Sequence, residues 1–206
     1  MEYNETSTAQ IPQPSAPRLT LSMLQSSPVQ SYPDLAIVNL TPGTLLITEQ
    51  EILVSTILGS CVSLCLHSNK LRASAICHGM LPHQTKLPIA GHFPYVDTAV
   101  AHMLETMTSR FGLAPSELTV KLFGGASVLQ THMAGAADGS AIGQQNITAA
   151  LETLARFGLT PDVQKTGGTE GYKIFFNTST GEVFVRRIAP SLAKCFAQPI
   201  KKQPTH

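Results

Sequence analysis

Two runs of alternating residues, Val62-Ser63-Leu64-Cys65-Leu66-His67 and Arg72-Ala73-Ser74-Ala75-Ile76-Cys77-His78, flank the short polar stretch Ser68 to Leu71. Period-two alternation on both sides of a polar turn predicts a β-hairpin. With Asn69-Lys70 at its centre, Val62, Leu64 and Leu66 pair with Cys77, Ala75 and Ala73, and that face is apolar throughout. The other face pairs Ser63 with Ile76, Cys65 with Ser74, His67 with Arg72 and Cys61 with His78. A slip by one residue mixes the two sets, so burial of one face specifies the register. The pattern expects Cys61 directly across from His78, with Cβ atoms roughly 4.5–5.5 Å apart.

The chain has 206 residues, 43% of them hydrophobic and 13% charged, enough for one domain with a real core. Its net charge of +1, from 14 basic and 13 acidic residues, leaves no footprint for nucleic acid or an anionic membrane. No apolar run approaches the roughly 18–20 residues of a spanning helix, and Met1-Glu2-Tyr3-Asn4-Glu5 does not open a secretory signal. A cytoplasmic protein, not inserted in a membrane, is expected. Cys61 and Cys65 on one strand lie about 13 Å apart at roughly 3.3 Å per residue. A disulfide needs Cα atoms within about 7 Å, so reduced thiols are the simpler reading.

Residues 1–34 are rich in Ser, Thr, Pro and Gln, with Pro12, Pro14, Pro17, Pro28 and Pro33 interrupting any regular pattern, and read as a disordered tail. The domain is expected over 35–188, opening at Leu35-Ala36-Ile37-Val38, and 189–206 reads as a peripheral tail that carries Cys195. Ile52 to Leu58 reads as a strand, and Gly59-Ser60 as a sharp turn into Cys61. A loop with Pro82, Pro88 and Pro94 follows the hairpin. Val96, Val100, Met103, Leu104, Met107 and Phe111 then recur at helical spacing, with Asp97 as cap and Gly112 as the stop. Ile147, Leu151, Leu154 and Phe157 repeat the plan up to Gly158. Leu118 to Phe123 and Asp162 to Lys165 are strand candidates, and a closing hairpin joins Lys173–Asn177 to Glu182–Arg186.

A cysteine nucleophile needs its proton taken, and a histidine in contact takes it. Cys61 after a Gly-Ser turn also places backbone N–H groups where a tetrahedral oxyanion forms. A third group usually orients the histidine, and Thr56 and Ser55 are both close in sequence. Free cysteines more often pack than react, and that reading is taken for Cys65 and Cys77. Zinc is not expected, because Cys61, Cys65, Cys77 and His78 lack ligand spacing and alternation sends Cys77 and His78 to opposite faces. The remaining histidines, His67 among them, read as surface or loop residues, with His83 able to approach the site from its loop. Neither Gly-Gly turn has phosphate-cradling spacing, so no nucleotide and no other cofactor is expected.

Taken in order, Leu58-Gly59-Ser60-Cys61-Val62, His78-Gly79-Met80-Leu81-Pro82, Tyr95-Val96-Asp97-Thr98-Ala99, Lys121-Leu122-Phe123-Gly124-Gly125-Ala126, Ile142-Gly143-Gln144-Gln145-Asn146 and Gly167-Gly168 with Gly171 resemble the chemoreceptor glutamine deamidase family CheD. The resemblance spans roughly residues 35 to 188. It implies an α/β fold, a layered sandwich of mixed and antiparallel strands with flanking helices, similar to toxin-type glutamine deamidases. It also implies a cytoplasmic protein-glutamine glutaminase that converts glutamine side chains of methyl-accepting chemotaxis receptors to glutamate, with hydrolysis of receptor methyl esters as a companion activity. Carried over by motif, Cys61 is the nucleophile, His78 the base and acid, and Thr56 the third member, with Ser55 the competing position. In many members the chemotaxis phosphatase CheC binds as a regulator. This chain has Tyr172 after Gly171, where the family commonly has a basic residue, and Gln144-Gln145 in place of a more charged pair. Those changes bear on receptor or regulator recognition. Two other readings stand beside the deamidase: a binding module for receptor or phosphatase without turnover, and a different cysteine hydrolase acting on protein.

Overall fold

A computed structural model describes residues 28–86, 89–127 and 139–188 of the chain. The tail expected over 1–34 lies outside the described residues as far as 27, and the tail over 189–206, with Cys195, lies outside them entirely. In chain order the elements are α1 (Pro28–Ser31), β1 (Ala36–Asn39), β2 (Leu45–Thr48), β3 (Ile52–Leu58), β4 (Val62–Ser68), β5 (Ala73–Cys77), α2 (Val96–Ser109), β6 (Thr119–Gly124), α3 (Gly139–Arg156), β7 (Val163–Thr166), β8 (Gly171–Asn177) and β9 (Val183–Ile188). A short 3-10 turn, Pro115–Glu117, leads into β6.

Among the described residues two mixed sheets and the two long helices α2 and α3 make three layers, the layered α/β sandwich that the family resemblance implied. The four-stranded sheet has the order β1-β3-β8-β9 and the five-stranded sheet the order β2-β5-β4-β6-β7. Only the β1–β3 and β6–β7 neighbours are parallel. The alternation in β4 and β5 explains the layering. Val62, Leu64, Leu66, Ala73, Ala75 and Cys77 share one apolar cluster with Val96, Val100, Met103 and Met107 of α2 and with Ile147 and Leu154 of α3. Cys65 and Ile76 point the other way and pack with Val54, Leu58, Ile174 and Phe176 of the four-stranded sheet. Burying a side chain such as Leu64 or Leu66 contributes about 1.5–3 kcal/mol, so a face of this kind is not left open.

The two faces of the β4–β5 hairpin are as expected, but its register is shifted by two residues. Leu66 stands opposite Ala75 and Ser68 opposite Ala73, and an isolated bridge joins Val62 to Gly79. The turn explains the shift. A two-residue loop on Asn69-Lys70 would need positive φ at both positions, which suits Asn and not Lys. The chain instead uses a longer loop, Asn69 to Arg72, with one left-handed residue, Arg72 at φ 52°. A shift of two preserves every side chain's face.

Other expectations are corrected by the packing. Asp97 does not cap α2: Tyr95 is the residue before the helix and offers no side-chain cap. Asp97 accepts from the Gln84 and Thr98 amides and lies 3.4 Å from His83, which ties the preceding loop to the helix start. Gly112 and Gly158 do follow their helices with φ of 63° and 71°. Within the segment read as a tail, Tyr32 donates to Glu182 and its ring lies against Phe184, so the chain touches the four-stranded sheet before residue 35. The short strand β2, not read from the sequence, pairs with β5.

His67, expected at the surface, is buried at 2% exposure between the sheets. Ser74 Oγ donates to the Thr178 carbonyl at 2.8 Å, and a hydroxyl has one proton to give. His67 Nδ1, 2.9 Å from the same oxygen, is therefore its N–H donor. Lys121 Nζ donates to the Gly181 carbonyl in the same region, and a Cβ at Gly181 would meet the His67 ring at 2.6 Å. These bonds pin the five-stranded sheet to the β8–β9 turn. Ser74→Ala removes the hydroxyl that donates to the Thr178 carbonyl and accepts from His67 Nδ1. It should lower stability by about 1–3 kcal/mol in urea unfolding, and an unchanged midpoint would mean that the bridge contributes nothing.

Candidate active site

Cys61 sits at the end of the turn between β3 and β4, a crossing from one sheet to the other. Its main chain is held on successive residues. The Cys61 carbonyl accepts from the Gly125 amide at 2.8 Å and the Gly59 carbonyl from the Ala126 amide at 2.8 Å. A Cβ at Gly124, where φ is 99°, would overlap the Cys61 carbonyl, which is why the chain turns there on glycine. His78 follows β5 directly, and its backbone is held on both sides: its N–H donates to the Thr44 carbonyl and its carbonyl accepts from the Gly43 amide, each at 2.9 Å.

The observed register puts Cys61 and His78 on the same, inter-sheet face but not directly opposite one another. The Val62–Gly79 pair exchanges both hydrogen bonds, and Cys61 and His78 flank it on a diagonal. Diagonal Cα atoms in an antiparallel pair are roughly 7–8 Å apart, within reach of a long or aromatic side chain.

Thr56 reaches across from β3 of the other sheet. Its Oγ1 donates to the Leu40 carbonyl at 2.8 Å and lies 2.7 Å from His78 Nδ1. Because the single hydroxyl proton goes to Leu40, His78 Nδ1 carries the N–H and donates it to Thr56. The lone pair is left on Nε2, the form that can accept a proton from a thiol. Ser55 takes the opposite face of β3, and its carbonyl receives the Leu40 N–H at 2.8 Å. Side-chain parity thus separates the two residues that the sequence left in competition. His83, engaged with Asp97, is not drawn into this group.

Burial governs the resting charge. It pushes the Cys61 thiol up to about 11, against a smaller opposing effect from the residue's own main-chain N–H beside the sulfur. It pushes His78 down to about 4. At neutral pH the Cys61 thiol and the His78 imidazole are therefore both uncharged. Cys65 and Cys77, fully buried, are raised for the same reason. Among the described residues no group of His, Cys, Asp and Glu is placed to hold a metal ion, and no helix is long and apolar enough to cross a membrane.

One residue of the site was quoted in the sequence only as part of a motif. Asn146, fully buried on α3, donates from Nδ2 to the carbonyls of Ser60 and Met80, at 2.9 and 3.0 Å. Its motif, Ile142 to Asn146, was the available signal; its partners depend on tertiary contact.

A family model described as CheD chemotactic sensory transduction matches residues 80–187. The probable chemoreceptor glutamine deamidase CheD 2 of Geobacter sulfurreducens is 39% identical over 157 residues, 76% of this chain and 93% of the relative. The probable chemoreceptor glutamine deamidase CheD of Maridesulfovibrio salexigens is 38% identical over 164 residues, covering 77% of this chain and 96% of its own. Among solved structures, Bacillus licheniformis hypothetical protein YfiH overlaps 63% of this chain and 58% of its own at 9% identity with a TM-score of 0.41, a level that carries no inference. With relatives this similar along most of their length, the chain belongs to the CheD family.

Proposed function

We propose that this protein hydrolyses glutamine side-chain amides of chemotaxis receptors to glutamate in the cytoplasm, with Cys61 as nucleophile, His78 as base and acid, and Thr56 as the residue that orients His78. The observation that carries the reading is the Leu40–Thr56–His78 chain of hydrogen bonds, which leaves the imidazole lone pair on Nε2. What separates His78 from the similarly bonded His67 is its place on the face that carries the half-buried Cys61. The activity itself is in the names of the relatives, as a probable one.

The steps balance without a cofactor. As Cys61 Sγ forms its bond to the amide carbon, His78 Nε2 takes the thiol proton, and the carbonyl oxygen becomes an oxyanion facing the Cys61 main-chain N–H. The imidazolium, steadied through Nδ1 by Thr56, passes that proton to the amide nitrogen, and ammonia leaves a thioester. His78 then takes a proton from water as its oxygen attacks the thioester carbon. The carbon–sulfur bond breaks, glutamate is released and the thiolate is reprotonated. A receptor methyl ester fits the same sequence with methanol as leaving group. CheC would act on this cycle as a docked regulator.

Because both groups are neutral at rest, the thiol is activated only as the bond forms. Mass spectrometry of a co-expressed chemoreceptor should detect amide-to-acid conversion at glutamines with the unsubstituted protein and none with Cys61→Ala. Receptor binding with identical conversion by both proteins would reject Cys61 as nucleophile. His78→Ala should lower kcat by about 10²–10⁴-fold, with Thr56→Val falling between it and the unsubstituted protein.

The depressed His78 pKa also sets two pH profiles. Catalysis needs neutral His78, so kcat/KM should rise through about pH 4 and be flat near neutrality, not rise through 6.5. For stability the sign follows from proton uptake. Between about 4 and 6.5 the unfolded chain binds a proton that folded His78 refuses, so stability is full above 6.5 and lost as pH falls toward 4. The loss should be about 2 kcal/mol by pH ~5 in urea unfolding, at roughly 1.36 kcal/mol per pH unit. His78→Gln should flatten the slope, leaving the smaller effect of buried His67, which has the same sign.

A further inference from the structure

Asn146 is the residue whose bonds the hydrolytic cycle does not use and whose position it does. We infer that Asn146 is a positioning residue that sets the distance between Cys61 and His78 by clamping the two loops that carry them. The inference rests on the reading of Cys61 and His78 as a working pair.

The geometry is specific. The Asn146 amide spends both N–H bonds on main-chain carbonyls from different segments: Ser60, directly before Cys61, and Met80, two residues after His78. No other side chain among the described residues is shown bonding to both loops. The diagonal placement of Cys61 and His78 makes such a tie useful, since sheet hydrogen bonds between the two stop at the single Val62–Gly79 bridge. Beyond it, the turn at Ser60 and the loop at Met80 diverge, and the Nδ2 group closes the gap.

The rest of α3 is shaped to bring that amide in. A Cβ at Gly143 would meet the Gly125 carbonyl oxygen at 2.5 Å, and one at Gly125 would meet Ile147 at 2.5 Å. Helix and Gly124-Gly125 turn therefore touch backbone to backbone, and the same turn holds the Cys61 carbonyl. The arrangement has a cost. Asn146 Oδ1 is buried and has no partner among the described residues, and an unmet buried acceptor is expensive. Leucine would remove that cost but not tie the loops. Aspartate would turn an anionic oxygen toward two carbonyls. Only a side chain with two donors on one atom at this length meets both.

The test reads thiol reactivity, which needs no receptor and no turnover. In a Cys195→Ser background, the rate of Cys61 carbamidomethylation by iodoacetamide is followed across pH by mass spectrometry for the parent, Asn146→Ser, His78→Ala and the double variant, with circular dichroism confirming the fold. Asn146→Ser, which keeps one donor, should slow alkylation about tenfold when His78 is present and less than twofold when it is absent, the non-additivity expected of residues acting through one another. An equal effect in both backgrounds, or none, overturns the inference. If His78→Ala itself leaves the rate unchanged, the failure belongs to the Cys61–His78 pair instead. Should Asn146→Ser not fold, the side-chain amide of Asn146 in the unsubstituted protein is observed by NMR. It should be protected from exchange and should shift when Cys61 is carbamidomethylated; an amide that does neither overturns the inference.

Discussion

A single hydroxyl proton organises the site. Thr56 gives it to the Leu40 carbonyl, so the same oxygen can only accept from His78, and the imidazole is left with its basic nitrogen free. Leu40 follows β1 and Thr56 lies in β3, both of the four-stranded sheet, whereas His78 extends β5 of the other. The bond that selects the tautomer is therefore also a bond between layers. Loosening the sandwich at this point would cost both orientation and packing.

The same device recurs toward the far end of the interlayer. There Ser74 gives its proton to the Thr178 carbonyl and accepts from His67 Nδ1. In both places a histidine of the five-stranded sheet reaches the other sheet through a hydroxyl already committed to a carbonyl. Buried polar groups are tolerable when their bonds are met, and each relay meets three. The two differ in what lies next to them. His67 is closed in by Gly181 and by Asn69, 3.0 Å from its Nε2, while Cys61, on the same face as His78, retains partial exposure. In the proposed reaction the His78 relay carries the chemistry, and the His67 relay fastens the sheets.

Glycines make the second contribution, by letting backbone approach backbone. Gly124 and Gly125 pass under the Cys61 carbonyl, Gly143 brings α3 against Gly125, and Gly171 leaves room for the Leu58 carbonyl, which a Cβ there would meet at 2.9 Å. The carbonyls of Gly59, Ser60 and Cys61 are each held by a different donor, from Ala126, Asn146 and Gly125. The proposed nucleophile lies on this turn. Here the turn is held as firmly as the strands it joins.

By itself the sequence determined which side chains share a face, because strand alternation is a local property of period two. That was enough to separate Leu64 and Leu66 from Cys65, to place Cys61 with His78, and to mark the glycine stops of both helices. It did not determine register, since a shift of two residues leaves every face unchanged and only the energetics of the Asn69–Arg72 turn discriminate. Nor did it choose Thr56 over Ser55, show that His67 is buried, or reveal what Asn146 holds. Those outcomes required the second sheet and α3 to be in place. The polar face of the hairpin looks the same in sequence whether it meets water or another layer. Only tertiary structure covers it, and burial then lowers His78, raises Cys61 and makes each hydroxyl proton count.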